Sequence, residues 1–296
     1  MQPPPSPTAK SDDYITIQAG DQKILDCRYV SESYETVAPP IQLLNPAFAY
    51  FTSKAFDPEH AVSPAFVNDV RDLVESSAVI HATEFEHRNY LKPIIQKIVD
   101  HPTISVSSTN RTAPDGVVDG HTRSVPLVIY EEKKEFGGAG LDPSTQGSLS
   151  YQRVFFPQYI RDLDLETCCP AFIIARAGPW LSILGGITTT RCVVQRLSDY
   201  LWLPLHSTCD DDHWFRIARV LHVLNQSIER LRLWYENNRS CPTNSRVLPI
   251  LEFSPLSIGS RRAMPKFSFD TRNHWNVPIP VLRILPGPLK SVPKTS

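Results

Sequence analysis

The segment that most constrains the fold is Val125–Lys133, the most strand-like run in the chain. It passes from Val-Pro-Leu-Val-Ile-Tyr into Glu131-Glu132-Lys133. In a strand, side chains at i and i+2 point to one face, so Glu131 and Lys133 share a face and Glu132 takes the other. Upstream, Thr112–Gly120 has turn chemistry around a short strand, with Asp115 after Pro114. If that strand pairs antiparallel with Val125–Lys133, the Asp115 carboxylate can approach Glu131. Two carboxylates at a strand end suit a hard divalent ion, usually magnesium. A neighbouring ammonium can orient or help deprotonate an attacking water and stabilise a phosphorane-like transition state. Phosphodiester hydrolysis needs that combination. The plainer reading of Glu131–Glu135 is a charged strand exit.

The surrounding periodicity predicts helices on both sides of this strand region. Ser63-Pro64 opens one, with Ala65, Val67, Val70, Leu73 and Val74 near helical spacing. A second covers Thr83–Val99, kinked or restarted at Pro93. After the glycine-rich break Gly137–Gly140, Asp142-Pro143 starts a third that runs to about Phe156. Ala171–Ala175 and Trp180–Leu184 read as a hairpin turning at Ala177-Gly178-Pro179, and Arg191–Leu197 as another strand. Trp214, Ile217, Leu221, Leu224, Ile228, Leu231 and Trp234 recur every three or four residues, which predicts a long amphipathic helix over about 211–236. Residues 15 to about 55 read as loops with a few short elements.

Composition narrows the class. Apolar residues make up 41% of 296, enough for a sizeable core. The start, MQPPPSPTAK, lacks the apolar core of a secretory signal. The longest apolar stretch, Ala171–Ile187, is shorter than the ~20 residues of a span and contains Arg176. The six cysteines show neither CxxC nor Cys/His spacing, so they read as reduced thiols in a cytoplasmic or nuclear protein that is not secreted. Residues 239–296 hold nine basic residues against two acids, a net +7 that leaves −8 for the rest of the chain. Such an arm can touch nucleic acid or simply be a solvated proline-rich tail. His81 and His87 read as surface residues, and no HExxH or GxSxG occurs.

Pro114-Asp115 with Glu131-x-Lys133 resembles the active-site motif of the PD-(D/E)XK nuclease superfamily. The resemblance implies Asp115, Glu131 and Lys133 as catalytic residues and Mg²⁺ as cofactor. It implies Asp115, Glu131 and an N-terminal-helix acid, Glu84 or Glu86, as metal ligands. Gln146 and Tyr151 would be supporting residues from the following helix, though they are spaced by five rather than four. A longer resemblance covers about residues 60–240. Leu127–Pro143, Gln146–Tyr151, Cys168–Leu181, Leu197–Leu203 and the helix Trp214–Tyr235 are similar to the region before the kinase domain in protein-kinase-like proteins of mushroom-forming fungi. The kinase domain itself is absent: there is no HRD or DFG, and Gly137-Gly-Ala-Gly140 is not GxGxxG. The chain is therefore not a kinase on its own.

The expected architecture is α+β or α/β, a central mixed sheet flanked by helices around a nuclease-like core, with the long amphipathic helix C-terminal. Residues 1–14 are expected to be disordered, 15–240 to form the domain, and 241–296 to be a poorly ordered basic proline-rich tail, whose stretch after 247 reads as truncation or a shifted reading frame. The expected function is a nuclease-fold module performing Mg²⁺-dependent phosphodiester hydrolysis on nucleic acid. The alternative is a catalytically inactive regulatory or protein-binding module, the remnant of a kinase-like protein. No membrane association is expected.

Overall fold

The computed structural model describes residues 9–30, 36–99, 103–104, 114–119, 125–136, 142–155, 168–189, 191–204 and 211–237. The basic segment 241–296 lies outside them. The helices are α1 (Ser11–Ala19), α2 (Pro46–Lys54), α3 (Pro64–Ser77), α4 (Glu84–Val99), α5 (Pro143–Phe155) and α6 (Asp211–Asn237). The strands are β1 (Thr103–Ile104), β2 (Gly116–Asp119), β3 (Pro126–Lys133), β4 (Ala171–Ala177), β5 (Trp180–Thr188), β6 (Cys192–Arg196) and β7 (Leu201–Trp202).

One mixed sheet runs in the order β1-β2-β3-β4-β5-β6, with β7 pairing to β5. Among the described strands β3 and β4 pair in parallel and the other pairs are antiparallel, and Leu25 makes an isolated parallel bridge to Val193. A parallel pair needs a crossover, and α5 provides it. The chain order is therefore a helix (α4), a three-strand meander, a helix (α5) and a strand laid parallel to the last strand of the meander.

Each face of the sheet carries a helical layer. Val128 and Tyr130 of β3, with Phe172 and Ile174 of β4, pack under α2, α3, α4 and α6. Ile129, Ile173 and Ala175 pack under α1 and α5. This two-sided burial explains why β3 and β4 read as unbroken apolar runs. It also sends Glu131 towards the α5 layer and Glu132 towards the α4 layer.

Caps set the helix starts. Asn45 and Ser63 accept from the backbone N–H groups of Ala47 (2.9 Å) and Phe66 (3.3 Å) ahead of Pro46 and Pro64. Thr83 and Glu86 form a reciprocal capping box at 3.2 Å in both directions. Helix α4 continues through Pro93 to Val99.

Two elements go beyond the sequence expectation. Residues 11–14 are helical rather than disordered, and α2 is one of the few short elements expected before about residue 55, at a position the sequence does not single out. Neither carries a long apolar stripe. Helix α1 is tied down by polar groups one turn apart: Tyr14 donates to Asp26 Oδ2 (2.7 Å), and Gln18 bonds the backbone of Ile24 and Arg28. Helix α2 is fixed by Phe48 and Phe51, whose rings meet Phe172 at 5.0 and 6.1 Å. Both are tertiary effects.

Helix α6 buries Ile217, Leu221, Leu224, Ile228 and Leu231. Trp214 is only half-buried and donates its indole N–H to Val67 O at 3.2 Å. Leu224→Ala is expected to destabilise the protein by about 2–5 kcal/mol, read as a lowered urea midpoint. No helix among the described residues is long and apolar enough to cross a membrane.

Candidate functional site

The register of the meander brings Asp115 to Glu131. Gly116 pairs with Tyr130, so the next position outward on each strand is Asp115 and Glu131. Asp115 Oδ2 accepts the backbone N–H of Glu132 at 2.9 Å, and Oδ1 pairs with Arg88 Nη2 of α4 at 2.6 Å. Lys133 is two residues past Glu131 on the same strand and is buried. Asp115 and Lys133 both act on the Glu131 carboxyl through their charges. The register thus sets Asp115 across from Glu131 at the C-terminal end of β3, with Lys133 two residues on; Asp115 is held by Arg88 and the Glu132 N–H on the α4 side, whereas Glu131 is held from α5.

Helix α5 closes over Glu131. Gln146 Nε2 donates to Glu131 Oε2 at 2.6 Å, and Ser150 Oγ donates to Oε1. Gln146 and Ser150 are four apart and so share one helix face. Between them sits Gly147, where a Cβ would stand 2.6 Å from Ile173 Cγ2. The missing side chain lets α5 approach β3 and β4 closely enough for both bonds. Asp142 caps the helix through the Ser144 N–H at 2.9 Å and also accepts from Tyr200 at 2.7 Å. Gln146 Oε1 is buried without a hydrogen-bond partner. At this same end of β3, Gly178 adopts φ +53° and donates to Lys133 O at 3.0 Å. A Cβ there would lie 2.8 Å from Glu135 Oε2, so the turn after β4 requires glycine.

Glu131 has no solvent exposure. Burial, reinforced by the charge of Asp115, pushes its carboxyl up to about 8, against the opposing Ser150 hydrogen bond and Lys133 charge. On the opposite face, Glu132 meets Arg176 Nη1 at 3.0 Å. Burial raises Glu132 to about 7, with Arg176 pulling the other way. His87 Nε2 lies 3.3 Å from Glu132 Oε1 without hydrogen-bond geometry. Burial and the Arg176 charge hold His87 down at about 4, so it is neutral near pH 7.

The residues anticipated from sequence divide as follows. Gln146 reaches Glu131 directly, while Asp115 and Lys133 stand at neighbouring backbone positions. Tyr151 does not join them: it lies on the other flank of α5, donates to Cys169 O at 2.8 Å and packs over Gly186. The five-residue spacing from Gln146 is the physical reason, since i+5 turns the side chain away from the i, i+4 face. Glu84 opens α4, but its side chain lies outside what the structure describes. Glu86 is exposed and caps Thr83. His87 is buried rather than on the surface, with His81 half-buried against it at 5.2 Å between rings. Ser150 is the residue missed, and its signal is the four-residue step from Gln146. Arg88 is also missed, because nothing local in sequence links it to Asp115.

For a magnesium ion the donor chemistry fits: two carboxylates at adjacent positions, and an unpartnered buried amide oxygen on Gln146. Among the described residues, no three His, Cys, Asp or Glu side chains converge as a ready-made metal cluster. Loading would therefore require Asp115 to exchange Arg88, and Glu131 to exchange Gln146 or Ser150, for the ion. Compared with protein-family models, with curated proteins and with solved structures, the chain matches none of them.

Proposed function

We propose that the chain is a nuclease-fold module akin to the region preceding the kinase domain in fungal kinase-like proteins. It hydrolyses phosphodiesters with Mg²⁺ at Asp115, Glu131 and Lys133. The observation that supports this reading is the register that sets Asp115 across from Glu131 at one end of the sheet, with Lys133 two residues on and Gln146 bonded to Glu131. The chain order of helix, meander, helix and parallel strand supports it. Bound magnesium would supply Lewis-acid polarisation of the phosphate and an activated water. Asp115 and Glu131 would hold it, with Gln146 Oε1 within the same enclosure. Lys133 would orient the water and offset charge developing on the phosphate oxygens.

A second reading is favoured by one observation: Glu131 is fully buried and both its oxygens accept from α5. A carboxylate so enclosed can serve as the polar tie that docks α5, in a module that keeps the fold for regulation or partner binding. Calorimetric titration with Mg²⁺ or Mn²⁺, paired with cleavage assays on labelled DNA and RNA in metal and in EDTA, separates the two. The first reading expects metal-dependent cleavage and a single binding isotherm, both lost in Asp115→Asn. Absence of any heat or cleavage in the wild type leaves the second.

A further inference from the structure

Two histidines far apart in sequence meet where α6 packs on α2 and α3. His60 lies in the connection between α2 and α3, and His222 lies on α6. His60 Nε2 and His222 Nδ1 stand 3.3 Å apart, and both residues are half-buried. The ring of Phe66 covers His222 at 5.1 Å. A fixed turn presents His60. Lys54 pairs with Asp57 at 2.9 Å, and Asp57 accepts the backbone N–H of Glu59 through its side chain and that of His60 through its carbonyl, both at 3.1 Å. A line of side chains backs His222. The Tyr50 hydroxyl donates to Gln226 Oε1 at 2.6 Å, and Gln226 Nε2 lies 3.5 Å from His222 Nε2. Arg230 in turn sits over the Tyr50 ring at 3.8 Å.

The spacing of the two ring nitrogens decides what they suit. At 3.3 Å they are long for a hydrogen bond. Two imidazole nitrogens bound to one zinc ion, at about 2.0–2.1 Å and the tetrahedral angle, stand about 3.3–3.4 Å apart. Ligands at right angles, as around an octahedral or square-planar ion, would stand about 2.9 Å apart at the same bond length. The pair therefore already spans the edge of a tetrahedron. Burial, with the charge of His60 second, holds His222 below the usual histidine range, so its ring is neutral near pH 7 and has a lone pair to give. No lysine or arginine charge acts on His222 among the described residues.

We propose that His60 and His222 form a binding site for a tetrahedral divalent ion of the zinc class, which ties the α2–α3 connection to α6. With Gln226 donating to His222 Nε2, the proton between the two rings belongs to His222 Nδ1. The ion takes that proton's place, and the proton moves to His222 Nε2. The Gln226 amide turns over, so that its oxygen accepts from Nε2–H and its NH₂ donates to the Tyr50 hydroxyl oxygen. Protons balance, and Gln226 becomes the outer partner that fixes the tautomer and orientation of a zinc-bound histidine. No third His, Cys, Asp or Glu joins the pair among the described residues, so water completes the tetrahedron. The inference does not rest on the magnesium reading: imidazole suits zinc, whereas magnesium takes oxygen ligands such as Asp115 and Glu131.

The test uses the full chain, stripped with EDTA and dialysed. Zn²⁺ affinity is measured by competition with a chromophoric chelator, coordination by the visible absorption of added Co²⁺, and stability by melting curves. Zn²⁺ should bind and raise the melting temperature, because it binds the folded state. Co²⁺ should give the strong absorption of a tetrahedral site, and Mg²⁺ should do neither. His60→Asn and His222→Gln should each remove both responses. Gln226→Leu should weaken Zn²⁺ binding about tenfold. Asp115→Asn should leave all of this unchanged, so loss of the magnesium reading would not touch the histidine site. Melting in excess EDTA checks that every variant folds. Absence of zinc binding overturns the proposal and leaves a structural histidine pair. So do zinc affinity unchanged in both histidine variants, a weak octahedral cobalt spectrum, and a zinc response that disappears in Asp115→Asn.

Discussion

Glu131→Gln is expected to keep the fold, to be more stable than the metal-free wild type at pH 8, and to lose all Mg²⁺-dependent activity. The two halves of this expectation have separate causes. A glutamine can reproduce the protonated carboxyl in the α5 enclosure: its oxygen accepts from Gln146, and its amide donates to Ser150, whose hydroxyl can accept as well as donate. The buried charge is what it removes. The folded-state carboxyl is raised from 4.5 to about 8, so the folded protein holds a proton that the unfolded chain releases. The unfolded state binds fewer protons across that window, and metal-free wild type therefore loses stability as pH rises through it. The slope reaches about 1.4 kcal/mol per pH unit at most. Glu131→Gln cancels that contribution and leaves those of Glu132, which ends near 7, and of Asp26, which burial also raises.

Melting temperatures in EDTA at pH 5 and pH 8 check this directly. The wild type should fall more than the variant between the two. Adding Mg²⁺ at pH 8 should raise the wild type, because a ligand that binds only the folded state stabilises it. The variant should not respond. A wild type whose melting is indifferent to both pH and Mg²⁺ would remove the metal site and leave Glu131 as a structural tie.

How far the site was legible in sequence depends on the range of the interaction that makes it. Period-2 alternation in β3 is local, and it assigned Glu131 and Glu132 to opposite faces correctly. Proline and glycine punctuation located β2, α5 and the β4–β5 turn for the same reason. Helices α1 and α2 escaped because what holds them is distant: Gln18 reaches the backbone of Ile24 and Arg28, and Phe48 and Phe51 need Phe172. Residue type points to Tyr151 as the partner of Gln146, whereas the four-residue step of a helix points to Ser150, which is the one that meets Glu131. Arg88 could be paired with Asp115 only once the sheet was assembled. Arg176 carries a local signal. An arginine inside Ala171-Phe-Ile-Ile-Ala-Arg-Ala177 is both a sign against a membrane span and a sign of a buried partner.

That partner makes Arg176→Met the largest stability effect expected outside the metal site. Arg176 has no solvent exposure and is the register partner of Glu132 across the parallel β3–β4 pair. Its Nη1 holds Glu132 at 3.0 Å, and its Nη2 reaches Ser77 Oγ of α3 at 3.3 Å. A methionine fills much of the space but leaves Glu132 buried without its counter-charge. Breaking one side of a buried pair costs about 3–5 kcal/mol, a large part of the ~5–15 kcal/mol that holds a typical domain.

The cost should depend on pH with a definite sign. Glu132 is already raised to about 7 with Arg176 pulling it down; without the arginine its carboxyl rises further. At pH 6 Glu132 is largely protonated and needs no cation, so the variant suffers less. At pH 8 it must either keep a proton against the solution or stay charged in apolar surroundings, and the loss is full. In the wild type His87 is held neutral beside Glu132 by burial and by the Arg176 charge, so the arginine is the cation that Glu132 meets. Adding Glu132→Gln to Arg176→Met should recover most of the loss at pH 8. Urea midpoints of the two single variants and the double at both pH values measure all three effects. A loss that is the same at pH 6 and pH 8, or a double variant no better than Arg176→Met, would mean that Arg176 acts by filling volume. If the pH-dependent loss is found, Glu132 has a role despite facing away from the candidate metal site. Its backbone N–H holds Asp115, and its side chain, through Arg176 and Ser77, anchors β3 to β4 and α3. The acid on the opposite face of the strand then keeps the site's own carboxylate in place.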